Sequence, residues 1–167
     1  MQSNWAESVI ASAAAHGLTL ATAESCTGGL CGACLTAVSG SSAVYRGGMI
    51  TYCNEMKQQL LGVPAELLSE YGAVSPQCAC SMADGARKRL CADLAISVTG
   101  LAGPNGDGSG KPVGLVYLGL ADASSVHAVE LHLHGTREEI RAAAAEEALR
   151  LLLAALAPQE KTPAHAK

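Results

Sequence analysis

A short apolar run from Leu18 to Ala23 stops at four polar or small residues, Glu24, Ser25, Cys26 and Thr27, and two glycines then open a helical pattern reaching about Val38. A strand that feeds a helix through so short a turn constrains the fold strongly, and the rest of the chain continues the alternation. Before it, Asn4 to His16 is an amphipathic helix closed by Gly17. After it come a loop at Ser39 to Ser42, a glycine-bearing strand from about Val44 to Tyr52, and a short helix that Asn54 is placed to cap and Gly62 to end. Pro64 to Tyr71 reads as another short helix, and Ser75 with Pro76 is an N-cap and N1 pair opening a helix to about Leu90. Leu94 to Thr99 reads as a buried strand, and Val113 to Ala121 with Val126 to His134 as an antiparallel pair. Thr136 and Glu139 form a capping box for a last helix in which Ile140, Ala144, Ala148, Leu152 and Leu156 recur every four residues. Strands alternating with helices predict an α/β protein whose mixed, mostly parallel sheet is covered on both faces. Residues 1–157 are expected to form a single domain, and 158–167 a disordered tail.

Composition sharpens this picture. At 167 residues the chain matches one ordinary domain. Apolar residues make up 49%, yet aromatics only 3% and Phe is absent, so Ala, Leu, Val and Cys must fill the core, which favours close approach of helices to the sheet. The formal charge of −4 is mixed along the chain, and the one basic cluster, Arg87, Lys88 and Arg89, suits a solvated helix end. No nucleic-acid partner is expected. No stretch approaches the roughly 20 apolar residues of a membrane helix, and the N-terminus has no secretory leader pattern. The expected location is the cytoplasm. The cysteines number seven, with a CxxC at Cys31 and Cys34 and a CxC at Cys78 and Cys80. Both pairs lie in amphipathic helical segments among Ala and Leu, so small core thiols fit better than a metal site.

The glycine-rich segment Gly100 to Lys111 invites two familiar readings that spacing rejects. A phosphate-binding P-loop needs Gly at position 105 and Ser or Thr at 112, which are Asn and Pro. A calcium loop starting at Asn105 needs a carboxylate at its last position, which is Val116. A flexible, hairpin-like connection is the plainer reading of its second half. The turn after the first strand is more promising, because ligands of open α/β sheets bind at the carboxyl ends of strands. Gly28 and Gly29 let a ligand approach the backbone, and the helix N-terminus offers N–H groups for a phosphate or a developing oxyanion. The plain alternative is that Ser25 or Thr27 merely caps the helix. Lys57 lies in the first turn of its helix, where the dipole disfavours a cation. A lysine with a lowered pKa suits a general base toward a serine hydroxyl; an exposed surface lysine is the plain alternative.

TAESCTGG at Thr22 to Gly29, GGMITYCNEMKQQLLGV at Gly47 to Val63, YGAVSPQ at Tyr71 to Gln77, TGLAGPNG at Thr99 to Gly106 and KPVGLVY at Lys111 to Tyr117 closely resemble the C-terminal domain family of the competence-damage-inducible protein CinA. The resemblance spans about residues 5 to 157, with its motifs in order. It implies a three-layer α/β/α sandwich, a homodimer, and an amidohydrolase that converts nicotinamide mononucleotide to nicotinate mononucleotide and ammonia without cofactor or metal. By motif position Ser25 becomes the nucleophile and Lys57 its general base. The resemblance likewise assigns Thr27, Gly28, Gly29, Tyr52, Thr99, Gly100, Gly103, Arg137 and Arg141 to the binding of a small nucleotide, with the arginines suited to its phosphate or to the surroundings of the serine. The oxyanion is expected to be held by backbone N–H groups near Thr27 and Gly28. Two alternatives stand beside this: a nucleotide- or partner-binding module without catalysis, and a cysteine enzyme using Cys26.

Overall fold

The computed structural model describes residues 4–157, so the tail expected at 158–167 lies outside the described residues. Helix α1 (Asn4–His16) leads into strand β1 (Leu20–Glu24), then α2 (Leu30–Thr36), β2 (Tyr45–Ile50), α3 (Asn54–Leu61), α4 (Ala65–Tyr71), α5 (Pro76–Arg89), β3 (Leu94–Gly100), β4 (Leu115–Ala121), β5 (Val126–His132) and α6 (Arg137–Leu156). The strands form one five-stranded sheet in the order β2-β1-β3-β4-β5. β2, β1 and β3 run parallel, β4 runs against them, and β5 returns in their direction.

Period-two alternation divides the core between the two faces of the sheet. Leu20 on β1 and Leu94, Ile96 and Val98 on β3 pack with Val9, Leu35, Ile140 and Leu149 from α1, α2 and α6. Their neighbours Ala21, Ala23 and Ala95 pack with Met82, Leu61 and Leu68 on the opposite face, under α3, α4 and α5. The small residues on that second face let α5 lie close. Ser97 Oγ donates to the Ala79 carbonyl at 2.6 Å and accepts from Gly119 N at 3.2 Å, and a Cβ at Gly119 would run into the same carbonyl. Cys31 and Cys78 are fully buried in these two clusters, and all seven cysteines are unpaired. No helix among the described residues is long and apolar enough to cross a membrane.

Several boundaries differ from the sequence expectation for local reasons. α2 begins at Leu30 rather than Gly28, because Gly28 (φ 61°) and Gly29 (φ 102°) both adopt left-handed backbone outside the helix. Cys53, not Asn54, is the N-cap of α3, and no side chain caps it. β4 begins at Leu115 instead of Val113, since Gly114 turns at φ 93° and donates its N–H to the Leu101 carbonyl. The caps at Ser75, which accepts from Cys78 N, and at Thr136 with Glu139 are those the sequence predicts.

β1 sits between β2 and β3, and the chain leaves it toward β2 through α2 on one face and reaches β3 through α5 on the other. The carboxyl ends of β1 and β3 therefore flank a topological switch point, where open α/β sheets leave a crevice.

Candidate active site

A cavity of about 290 Å³ opens at this switch point. Ser25 lies at the end of β1, Thr99 and Gly100 close β3, and Lys57 comes from α3; Tyr52, Gly103 and Arg137 complete the wall. Lys57 is only 1% exposed. Its Nζ stands 2.9 Å from Ser25 Oγ and donates to the Thr51 carbonyl at 2.8 Å. Thr51 N in turn donates to the Glu24 carbonyl at 2.8 Å, so the segment that orients the lysine is fixed to the strand that carries the serine. Burial pushes the Lys57 pKa below the ordinary lysine value. A neutral amine in this position can donate one hydrogen to Thr51 and accept the Ser25 proton on its lone pair.

The turn that carries Ser25 is held at both polarities. Glu24 is 2% exposed, and its carboxylate accepts from Gly29 N at 2.9 Å, Cys31 N at 3.1 Å and Gly32 N at 2.9 Å. It therefore caps α2, the role that sequence offered to Ser25 or Thr27. On the other side Arg141 donates from Nε to the Cys26 carbonyl at 3.0 Å and from Nη2 to the Thr27 carbonyl at 2.9 Å. Ser25 N donates to the Val98 carbonyl and Gly28 N to the Ser25 carbonyl. Among the described residues the N–H groups of Cys26 and Thr27 have no such acceptor. The Cys26 thiol is buried, and that burial raises its pKa to about 11.

At the rim, Arg137 is the first residue of α6, a place where the helix dipole disfavours a cation. Its guanidinium donates from Nη1 to the Gly103 carbonyl at 2.6 Å and from Nη2 to the Tyr52 hydroxyl at 2.9 Å. The glycine-rich segment after β3 carries side-chain bonds of its own and to its surroundings. Asp107 Oδ1 accepts from Ser109 N at 2.9 Å and from the Ser109 hydroxyl, bonds that hold its carboxyl below the usual range. Lys111 Nζ donates to the Tyr71 and Val74 carbonyls, tying the end of this loop to the segment before α5. Thr99 Oγ1 donates to the Ala73 carbonyl at 2.7 Å and pins the same segment.

With this geometry in view, the comparisons with known proteins agree with one another. The CinA C-terminal domain profile matches residues 2–156. This chain belongs to the CinA C-terminal domain family. A CinA-like protein of Geobacter sp. (strain M21) is 49% identical over 147 residues, which is 88% of this chain and 36% of that protein. A CinA-like protein of Geobacter sulfurreducens is 53% identical over 133 residues, 80% of this chain and 32% of that one. The chain thus spans about a third of the length of these curated relatives. Among solved structures, the competence/damage inducible protein CihA from Agrobacterium tumefaciens superposes with a TM-score of 0.87 at 44% identity, covering 90% of this chain and 93% of that one. A CinA superfamily protein from Klebsiella pneumoniae gives 0.90 at 34% identity, with 92% and 96% covered. The mixed five-stranded sheet flanked by helices is therefore the CinA fold.

The CinA motifs separate into two groups in space. Ser25, Lys57, Tyr52, Thr99, Gly100, Gly103 and Arg137 meet around one cavity. Thr27, Gly28, Gly29 and Arg141, also expected at the substrate, stand behind it. Thr27 is fully buried, the N–H groups of Gly28 and Gly29 are engaged by Ser25 and Glu24, and the Arg141 guanidinium bonds two turn carbonyls. Of the backbone N–H groups beside Ser25, that of Cys26, a residue of the cavity wall, has no backbone acceptor among the described residues, whereas Gly28 N is engaged and Thr27 is fully buried. Sequence reasoning also missed Glu24 and Asp107 as individual residues. The signal for Glu24 was a carboxylate closing a strand that is otherwise apolar or small.

Proposed function

We propose that this CinA domain hydrolyses the carboxamide of nicotinamide mononucleotide, giving nicotinate mononucleotide and ammonia. The observation that carries the reading is the 2.9 Å approach of a buried lysine amine, with its pKa lowered, to a serine hydroxyl that lines a cavity. Ser25 Oγ attacks the carboxamide carbon while its proton passes to the neutral Lys57 amine. The carbonyl oxygen gains charge, and the N–H of Cys26 is the donor beside it; in comparable sites one lost donor costs roughly 3 to 4 kcal/mol. Lys57, now an ammonium, returns the proton to the amide nitrogen, the C–N bond breaks and ammonia leaves. Lys57 then takes a proton from water as the water attacks the acyl-serine, and returns it to Ser25 Oγ as the Ser25–acyl bond breaks to release nicotinate mononucleotide.

The rim supplies the matching recognition. Arg137 offers a planar fork for the substrate phosphate, and Tyr52 sets an aromatic face at the mouth. The pyridinium charge of the substrate withdraws electrons from its own carboxamide, which lowers the demand on the protein. Ammonia release from nicotinamide mononucleotide by the purified protein is the direct test. Binding of the nucleotide with no ammonia formed at any pH at which the protein stays folded returns the domain to the class of non-catalytic nucleotide binders.

A further inference from the structure

We infer that Glu24 and Arg141 are positioning residues that hold the turn after Ser25 and so keep the Cys26 N–H, at the cavity wall, in place for the oxyanion. The inference rests on the serine-nucleophile reading above and goes beyond it, because neither side chain lines the cavity around Ser25.

The argument follows from peptide planarity. In a trans peptide the carbonyl and the following N–H point in opposite directions. The Cys26 carbonyl is turned toward Arg141 Nε, so the Thr27 N–H points away from Arg141. The Ser25 carbonyl is turned toward Gly28 N, so the Cys26 N–H points away from the helix side of the turn. A flip of the peptide between Cys26 and Thr27 would swing the Cys26 carbonyl off Arg141 and disturb the neighbouring peptide that carries the Cys26 N–H beside Ser25. Arg141 opposes that flip because it would strip the guanidinium of its Nε partner and disturb the neighbouring bond from Nη2 to Thr27, and an unmade bond to a half-buried charge is costly.

Glu24 fixes the far end of the same turn. Its carboxylate takes Gly29, Cys31 and Gly32 N–H, which leaves the start of α2 filled from within and no place there for a substrate phosphate. With Gly28 and Gly29 in left-handed backbone between these two anchors, the turn has one arrangement that satisfies both. A Cβ at Gly28 would come 3.5 Å from Arg141 Nη2, so the guanidinium lies directly against the turn.

The test uses a reaction that needs no amide substrate. A fluorophosphonate forms a bond from Ser25 Oγ to phosphorus, breaks the P–F bond, releases fluoride and leaves the serine proton on Lys57, while its phosphoryl oxygen takes the place of the carbonyl oxygen. Labelling rates, read by intact-protein mass spectrometry, are measured on Arg141→Gln, Arg141→Lys and Glu24→Gln, beside kcat and KM for nicotinamide mononucleotide and a thermal melt. Arg141→Gln is expected to lower both the labelling rate and kcat roughly 10- to 100-fold with KM changed by less than about twofold. Arg141→Lys, which keeps one donor, recovers part of the loss. Glu24→Gln keeps the shape but turns an amide donor toward a backbone N–H, and loses about tenfold in both rates. A folded Arg141→Gln protein that labels at the wild-type rate, or that raises KM with kcat intact, overturns the inference; so does failure of all three variants to fold, which makes the two residues structural only. Wild type that labels at Ser25 yet releases no ammonia removes the proposed substrate, and the labelling rates alone then decide. Absence of labelling at Ser25 in wild type overturns both readings.

Discussion

Arg137 Nη2 donates to the Tyr52 hydroxyl at 2.9 Å, joining the first residue of α6 to the loop that follows β2 across the mouth of the cavity. On the proposed reading such a bridge would hold the guanidinium fork in place for the substrate phosphate, which reduces the ordering cost of binding. Arg137→Ala is therefore expected to raise KM for nicotinamide mononucleotide by roughly 10- to 100-fold with a smaller change in kcat. Turnover of the nucleoside without its phosphate should be nearly unchanged. Steady-state ammonia release with both compounds checks this; equal losses on both exclude a phosphate role.

Lys57 separates a base from a simple charge. Lys57→Met keeps the apolar stem and should lower kcat by roughly two to four orders of magnitude. Lys57→Arg should fare almost as badly, because a guanidinium does not give up its proton in the working range. Near-normal turnover by Lys57→Arg would return the residue to electrostatic binding. In wild type, kcat/KM should rise with pH through a pKa below the ordinary lysine value. The stability linkage has a definite sign. Between the lowered folded pKa and the unfolded value of about 10.4 the unfolded chain binds more protons, so stability rises with pH across that window. Denaturant melts of Lys57→Met should lack this rise.

Cys26 adjoins Ser25, yet burial raises its thiol pKa to about 11, far from a reactive thiolate. Cys26→Ala should keep most of the turnover, since its contribution beside Ser25 is a backbone N–H that alanine retains. Ser25→Ala should abolish turnover. The opposite pattern, or inactivation by thiol alkylation that Cys26→Ala escapes, would move the nucleophile to the cysteine.

Gly119 tests the close seating of α5. A Cβ at this position runs into the Ala79 carbonyl, which is backbone and can yield only if the helix moves. Gly119→Ala should destabilise the protein by about 1 to 3 kcal/mol, read as a shift of the denaturant midpoint at unchanged slope. An unaltered midpoint would show that α5 tolerates displacement.

Much of this was legible in the sequence because it was written in local signals. The cap at Ser75 with Pro76, the capping box at Thr136 and Glu139, and the alternation in β3 each depend on residues a few positions apart. The lowered pKa of Lys57 was also foreseeable: the sequence reading joined the helix dipole to partial burial, and burial is the leading cause. What stayed hidden was direction. Arg141 and Arg137 lie four positions apart on one helix, and no spacing rule says that one guanidinium reaches turn carbonyls while the other reaches Gly103 and Tyr52. The glycines at 28 and 29 announced a helix start open to ligand; only Glu24, folded back onto α2, closes it.

The bonds from Arg141 to Cys26 and Thr27 cross 115 and 114 positions of the chain. During synthesis the N-terminal part emerges first, so the segment bearing Ser25 leaves the ribosome well before α6 exists. In that nascent chain the peptide beside the serine has no guanidinium to hold it. On the reading proposed above, the surroundings of Ser25 are complete only once the last helix has docked, so that hydrolysis would belong to the finished fold alone.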